Sequence, residues 1–239
     1  IVKKPKEQGE IIGLLHDIGK ASYKFEQYIK SAVGLINPDE DDYVDATGLR
    51  GKVDHSTAGA QLIYRELAQN GKEALFAAQV LSLCLASHHS GLLDSISPEG
   101  IDTYSKRMLK REEKSHAGEV IGKLSDEARE RIINRLHSKE FLRNIIVQFT
   151  ALKTAQDKQE SRAFKCGLLV RFLFSCLIDA DRLNTADFEM PRLAKLRNHG
   201  TYEDWSVLID RLKKKLADFD PPEGINIVRQ KISQACYDF

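Results

Sequence analysis

The sequence predicts an all-α fold, a helical bundle, on three observations: apolar residues recur at helical spacing through nearly every segment, polar breaks carrying Gly or Pro separate those segments, and no convincing strand interrupts them. The domain reading is a single α domain over residues 1–217, followed at 218–239 by a linker and a last helix. With 36 basic and 35 acidic side chains the formal charge is +1, so a nucleic-acid partner must be held by local basic patches or by a metal, not by bulk charge. The composition, 42% hydrophobic and 30% charged, is that of an ordinary soluble protein.

In chain order, Glu10 to about Ile29 reads as one or two helices, with Ile11, Leu14, Leu15, Ile18, Phe25, Tyr28 and Ile29 as the apolar positions. Residues 34–53, broken by Pro38, Gly48 and Gly51, read as a surface loop. Asp54-His55-Ser56-Thr57 is a helix start, followed by a helix to Asn70 that Gly71 ends. Lys72 to His89 is a long apolar helix, and Asp102 to Ser115 a charged one whose Lys106, Arg107, Lys110, Arg111 and Lys114 read as a solvated face or a nucleic-acid stripe. Further helices are expected over Ser125–His137, Lys139–Asp157, Ser161–Leu183, Tyr202–Leu216 and Ile225–Tyr237, with a break at Asp218-Phe219-Asp220-Pro221-Pro222.

No apolar run approaches the roughly 18 residues of a membrane span, so no membrane partner is expected, and the segment IVKKPKEQGE lacks a secretory hydrophobic region. The four cysteines, Cys84, Cys166, Cys176 and Cys236, form no CxxC pair; three lie in apolar helical runs, which suits core thiols in a reducing cytoplasm. The first residue is Ile1, which reads as a chain already under way.

Polar residues on apolar helices are the anomaly. An unpaired desolvated carboxylate costs several kcal/mol, roughly, or is forced neutral. His16-Asp17 follows the greasy run Ile11–Leu15, and the cation that Asp17 requires is either Lys20, one turn away, or a metal. His88 and His89 close an apolar helix; one imidazole there answers to the helix dipole, but two adjacent ones weaken that reading. Asp179 and Asp181 diverge by about 200° on a helix, so only one faces a common site. Asp181 lies above Ile178, Leu177 and Phe174 and is the inward carboxylate; Asp179 is structural or outer. His55, read alone, is a surface histidine, yet the small Gly59-Ala60 would let its helix approach another closely. His16, Asp17, His55, His88, His89 and Asp181 make a sulfur-free set of N/O ligands larger than one tetrahedral site needs. That set suits one or two divalent transition-metal ions, manganese, iron, cobalt or nickel, with magnesium or zinc as the remaining options.

These elements, Gly13-Leu14-Leu15-His16-Asp17-Ile18-Gly19-Lys20 with Phe25-Glu26-Gln27-Tyr28, Asp54 to Ala60, Ser87 to Leu92, and Ser175 to Leu183, resemble in order and spacing the HD nuclease domain of the CRISPR-associated helicase-nuclease of type I systems. The resemblance runs from about residue 11 to 185, and Asn226 to Cys236 is similar to the approach to that family's helicase domain. It implies an all-α HD-domain helical bundle and metal-dependent endonucleolytic and exonucleolytic cutting of single-stranded DNA, on a strand fed by an ATP-driven helicase of the same longer polypeptide after a surveillance complex opens an R-loop. It further implies one metal on His16, Asp17 and Asp181, a second on Asp17, His55, His88 and His89, and Asp17 and Lys20 as catalytic, with Lys20 touching the scissile phosphate or steadying Asp17. The family carries a further histidine upstream, and residues 1–15 contain none, so at most partial occupancy of the first metal position is expected. Two alternatives stand beside this reading: a nucleotide phosphohydrolase of the wider HD superfamily, and a noncatalytic docking module that keeps the polar cluster as a buried network.

Overall fold

Local sequence signals become helices wherever apolar spacing is closed by a cap. The computed structural model describes residues 6–49, 51, 53–152, 154–197, 203–218 and 223–238, excluding the side chains of 236–238. The helices are α1 (Lys6–Leu15), α2 (Tyr23–Ala32), α3 (Ser56–Leu67), α4 (Lys72–Ser87), α5 (Thr103–Met108), α6 (Glu112–Ser115), α7 (Ala117–Lys123), α8 (Asp126–Leu136), α9 (Lys139–Ala151), α10 (Gln159–Glu189), α11 (Pro191–Ala194), α12 (Trp205–Ala217) and α13 (Ile225–Asp238). A 3-10 turn, Ile18–Ala21, links α1 to α2, and no strand occurs among the described residues. Side chains of Ser22, Asp102, Ser125 and Ser138 accept hydrogen bonds from the backbone N–H groups of Phe25, Ser105, Ala128 and Phe141, which fixes the starts of α2, α5, α8 and α9. The all-α expectation is met.

Several boundaries differ from expectation. The charged helix expected over Asp102–Ser115 is interrupted after Met108 because the buried Gln61 amide of α3 donates to the carbonyls of Arg107, Met108 and Lys110 at 3.4, 3.1 and 2.8 Å. Those carbonyls are the ones a continuing helix would return to its own N–H groups. A further helix, α7, occupies residues that carry no clear periodic signal and begins after His116, whose φ of 54° places it in the left-handed region. The helix expected over Lys139–Asp157 stops at Ala151, and the one expected over Ser161–Leu183 extends to Glu189. Tyr202, Phe219, Asp220, Pro221 and Pro222, with Arg50 and Lys52 of the expected loop, lie outside the described residues, as does the Cys236 side chain.

The chain divides into two compact units, Ile1–Ala186 and Asp187–Phe239. In the first, α3 and α4 pair most extensively; α1 packs on α4 and α9, and the 3-10 turn lies against α2, α3 and α7. Ile11, Ile12, Leu15, Ile63, Leu67, Leu81 and Leu85 are fully buried, so the core sits directly beneath the turn carrying His16 and Asp17. In the second, α12 is amphipathic, and Arg211 pairs with Glu203 at 2.8 Å.

Two glycines set how closely the site's segments meet. A Cβ on Gly59 would overlap the Leu15 carbonyl oxygen, and one on Gly19 would overlap the His55 carbonyl oxygen. The end of α1 and the start of α3 therefore touch backbone to backbone, as the small Gly59-Ala60 pair predicts. Alanine in a helix interior normally exceeds glycine by about 0.5–1 kcal/mol, and Gly13, open around its Cα, should follow that rule in Gly13→Ala. Gly59→Ala should instead lower unfolding stability by about 1–3 kcal/mol in urea titrations, because the overlap is with backbone; a stabilised Gly59→Ala would show that the helices part at no cost.

Candidate metal centre

The site is assembled where apolar helices end. The periodic run of α1 stops at Leu15, leaving His16 and Asp17 in the turn before Ile18. His55 stands immediately before α3 and His88 immediately after α4, so the most extensively paired helices of the core deliver one imidazole each. On α10, Leu173, Leu177 and Asp181 share one face at four-residue spacing, and burial of the two leucines turns Asp181 inward while Asp179 stays exposed, as the helical phase predicts.

Three imidazoles are oriented by the backbone. Nδ1 of His16 meets the Gly13 carbonyl at 2.7 Å, that of His55 the Val53 carbonyl at 3.1 Å, and that of His88 the Leu85 carbonyl at 2.7 Å. A carbonyl only accepts, so each Nδ1 carries a proton, and in the tautomer this fixes, the ring presents a lone pair at Nε2. All three Nε2 atoms turn toward Asp17: His16 lies 3.2 Å from Oδ2, and His55 and His88 each lie 3.6 Å from Oδ1. The Nε2 of His16 is also 3.5 Å from Asp181 Oδ1, and the Nε2 atoms of His55 and His89 stand 2.5 Å apart. Two donor groups result, Asp17-His55-His88-His89 and His16-Asp17-Asp181, each with ligand atoms within 4.8 Å of one another, and Asp17 belongs to both.

Lone pairs facing a carboxylate repel unless a cation lies between them. Lys20, the alternative cation, reaches Asp17 Oδ2 at 2.6 Å; Oδ1 and His88 Nε2 are buried without a hydrogen-bond partner. A buried polar atom left unpaired costs about 1–3 kcal/mol. Divalent metal ions fit this arrangement: the donors are imidazole nitrogen and carboxylate oxygen, and each oriented ring has its outer nitrogen tied to a carbonyl, the support that metal-binding histidines characteristically have.

The electrostatics favour an anionic Asp17 and neutral His55 and His89. Burial raises the Asp17 carboxyl, but the His16, His88 and Lys20 side chains gathered around it more than reverse this and hold it well below the usual carboxylate range. His16 is raised by its bond to Asp17. Burial lowers His55, and burial together with the neighbouring His88 and His55 lowers His89 to about 4, so both are neutral near pH 7. The Phe25 ring meets His55 edge-on at 4.8 Å, closing one side, while Lys20 and His89 stand at the exposed side.

Sequence reasoning missed the group that holds His55 in place. Asp54 Oδ1 accepts from the N–H groups of Ser56 and Thr57, and Oδ2 accepts from the Thr57 hydroxyl at 2.6 Å and from Lys110. Arg107 lies 4.0 Å from the same carboxylate and donates to Ser56 Oγ at 2.9 Å and to the Ala86 carbonyl at 3.1 Å. The helix-start signal at Asp54 was visible in the sequence; the long-range pairing of two of the five basic residues was not.

The sequence model of the family described as Cas3, HD domain matches residues 8–170, more than half of the chain. The chain belongs to that family. No curated protein and no solved structure matches it. The Cas3 HD family is one of CRISPR-associated HD nucleases whose domains bind divalent metals. The matched span contains His16, Asp17, His55, His88 and His89 and ends before Asp181.

Two outcomes follow. At a hundredfold excess over its Kd, Mn2+ should stabilise the metal-stripped protein by about 2.7 kcal/mol in thermal melts, and Asp17→Asn should lose that gain; an equal gain in Asp17→Asn would remove Asp17 from the centre. Burial raises the Asp54 carboxyl, but Lys110, Thr57 and Arg107 bring it down to about 2 from 3.8. Because the folded value is the lower one, the stability it contributes, about 2 kcal/mol, is complete above about pH 4 and lost as pH falls toward 2. Urea titrations should show the gap between wild type and Asp54→Asn closing over that window; a gap independent of pH would place the cost elsewhere.

Proposed function

We propose that this Cas3 HD-family protein hydrolyses phosphodiester bonds of single-stranded DNA in CRISPR interference, cutting both within a strand and from its end. The observation that carries the reading is the shared Asp17, whose Oδ1 and the facing His88 Nε2 lie buried without a hydrogen-bond partner between two donor groups. His16, Asp17 and Asp181 would hold one divalent ion, and Asp17, His55, His88 and His89 the other, with manganese, iron, cobalt or nickel best matched to nitrogen and oxygen donors. Such ions, when bound, supply Lewis acidity toward a phosphodiester and activation of water at neutral pH.

The chain's own residues do the rest. The carbonyls of Gly13, Val53 and Leu85 keep Nδ1 protonated on His16, His55 and His88, so each Nε2 is held ready before substrate arrives. The Lys20 ammonium, 45% exposed, holds Asp17 anionic and has donors left for a nonbridging phosphate oxygen. Phe25 against His55 and the apolar floor of Ile12 and Leu15 limit water beneath the reacting phosphate. This chemistry needs no base-specific contact, so binding should be salt-sensitive and tolerant of sequence. In the reading we favour, the nuclease lies within residues 1–217, and 218–239 lead toward a helicase domain of the same longer cytoplasmic polypeptide, which feeds the strand after a surveillance complex has exposed it.

Circular single-stranded DNA with Mn2+ tests the reading. Wild type should linearise and then degrade the circle, and Asp17→Ala should lose at least about a thousandfold in rate with its helical circular-dichroism signal kept. Lys20→Ala should lose about 100-fold, the size of one lost oxyanion donor. Retained cleavage in Asp17→Ala overturns the site; turnover of nucleotide monophosphates with strands untouched assigns a phosphohydrolase instead, and metal binding without turnover of either assigns a docking module.

A further inference from the structure

Beside the centre lies an open groove of about 580 Å³ lined by Leu93, Thr103, Lys106, Arg107, Leu109, Lys110, Arg111 and Lys114. Its basic residues fall into two kinds. Arg107 and Lys110 turn inward onto Asp54, whose charge they neutralise. Lys106, Arg111 and Lys114 are exposed and have no ion-pair partner among the described residues. Of the nearby acids, Asp102 caps α5 and Glu112 accepts from the N–H groups of Gly118 and Glu119, while Glu113 and Asp94 are exposed carboxylates without an ion-pair partner among the described residues, fewer than the three free cations. Leu109, 79% exposed, stands among these cations as an apolar step.

The groove is built rather than incidental. Gln61, 1% exposed, fixes the carbonyls of 107, 108 and 110, and Met108 is buried beneath them. Arg107 ties the groove wall to Ser56, which follows His55, and to Ala86, just before His88. Leu93 is tied back by its N–H to Ser87 Oγ at 3.1 Å. The two helices that supply His55 and His88 thus also carry this wall.

We propose that this groove is the track along which single-stranded DNA reaches the metal centre, with Lys106, Arg111 and Lys114 on successive phosphates and Leu109 against a base. Three unpartnered cations with one apolar step match a polyanion whose charges repeat along a flexible chain, and continuity with His55 and His88 leads that chain toward Asp17. The inference rests on the nuclease reading for the identity of the strand, but its test does not use cleavage.

Fluorescence anisotropy of a labelled oligothymidylate, in EDTA, compares wild type with Lys106→Glu/Arg111→Glu/Lys114→Glu and with the milder triple glutamine variant. The glutamate variant should bind at least about tenfold more weakly, and the slope of log K on log salt should shrink by about 2 for three lost phosphate contacts. The glutamine variant should fall between, and a charge-matched control on exposed residues elsewhere, Lys72→Glu/Arg131→Glu/Lys139→Glu, should bind as wild type does. Undiminished binding by both groove variants, equal loss in the control, or no binding by wild type overturns the track. Loss confined to the groove variants, with cleavage retained in Asp17→Ala, would leave the track standing and overturn the metal-site reading instead.

Discussion

The constraint on which the rest depends is a carboxylate facing lone pairs. Asp17 Oδ1 is 3.6 Å from the Nε2 atoms of both His55 and His88, and in the tautomer fixed by each Nδ1–H donating to a backbone carbonyl, Nε2 presents a lone pair there. Without a cation the arrangement is repulsive and partly desolvated, at a cost of about 1–3 kcal/mol for each unpaired atom. It persists because the surrounding backbone gives it no alternative. Gly19 and Gly59 bring the turn after α1 against the start of α3, and the fully buried Ile11, Ile12, Ile63, Leu81 and Leu85 hold these helices in register. The core's stability is thus spent on keeping a site poised for a ligand, a familiar tension between stability and function.

The same geometry explains why the cluster has two halves. Asp17 Oδ2 faces His16 and Lys20, while Oδ1 faces His55 and His88. The two oxygens diverge from one carbon, so a single side chain serves two neighbouring groups without changing rotamer. Asp181 joins the His16 side because Leu173 and Leu177 bury the same face of α10. His89 joins the other side because it follows His88 at the end of α4.

Much of this was legible in the sequence, for physical reasons that also mark where reading fails. Apolar periodicity located the long helices, since burial of one face is a local pattern. The same phase separated Asp181 from Asp179, and the conflict between a greasy run and His16-Asp17 flagged the centre. What escaped is what depends on distant partners. Gln61 ends α5 through carbonyls nearly fifty residues away, and Asp54 pairs with Arg107 and Lys110 across a similar separation. In sequence, the five cations of 106–114 share one face of one expected helix; the fold breaks that helix and divides them between structural and free.

That division bears on how a nearly neutral protein can engage a polyanion. A formal charge of +1 gives no long-range attraction, so any field must come from local asymmetry. Asp54 engages two of the five cations in the groove, cancelling one of their two charges, and ties them to the start of α3, while Lys106, Arg111 and Lys114 keep their charge for a partner. Were Asp54 absent, Arg107 and Lys110 would be two desolvated cations beside His55, and their repulsion would oppose a second cation at Asp17. A carboxylate that binds no ligand itself therefore lets a basic groove and a cation-binding centre stand next to each other on the same pair of helices.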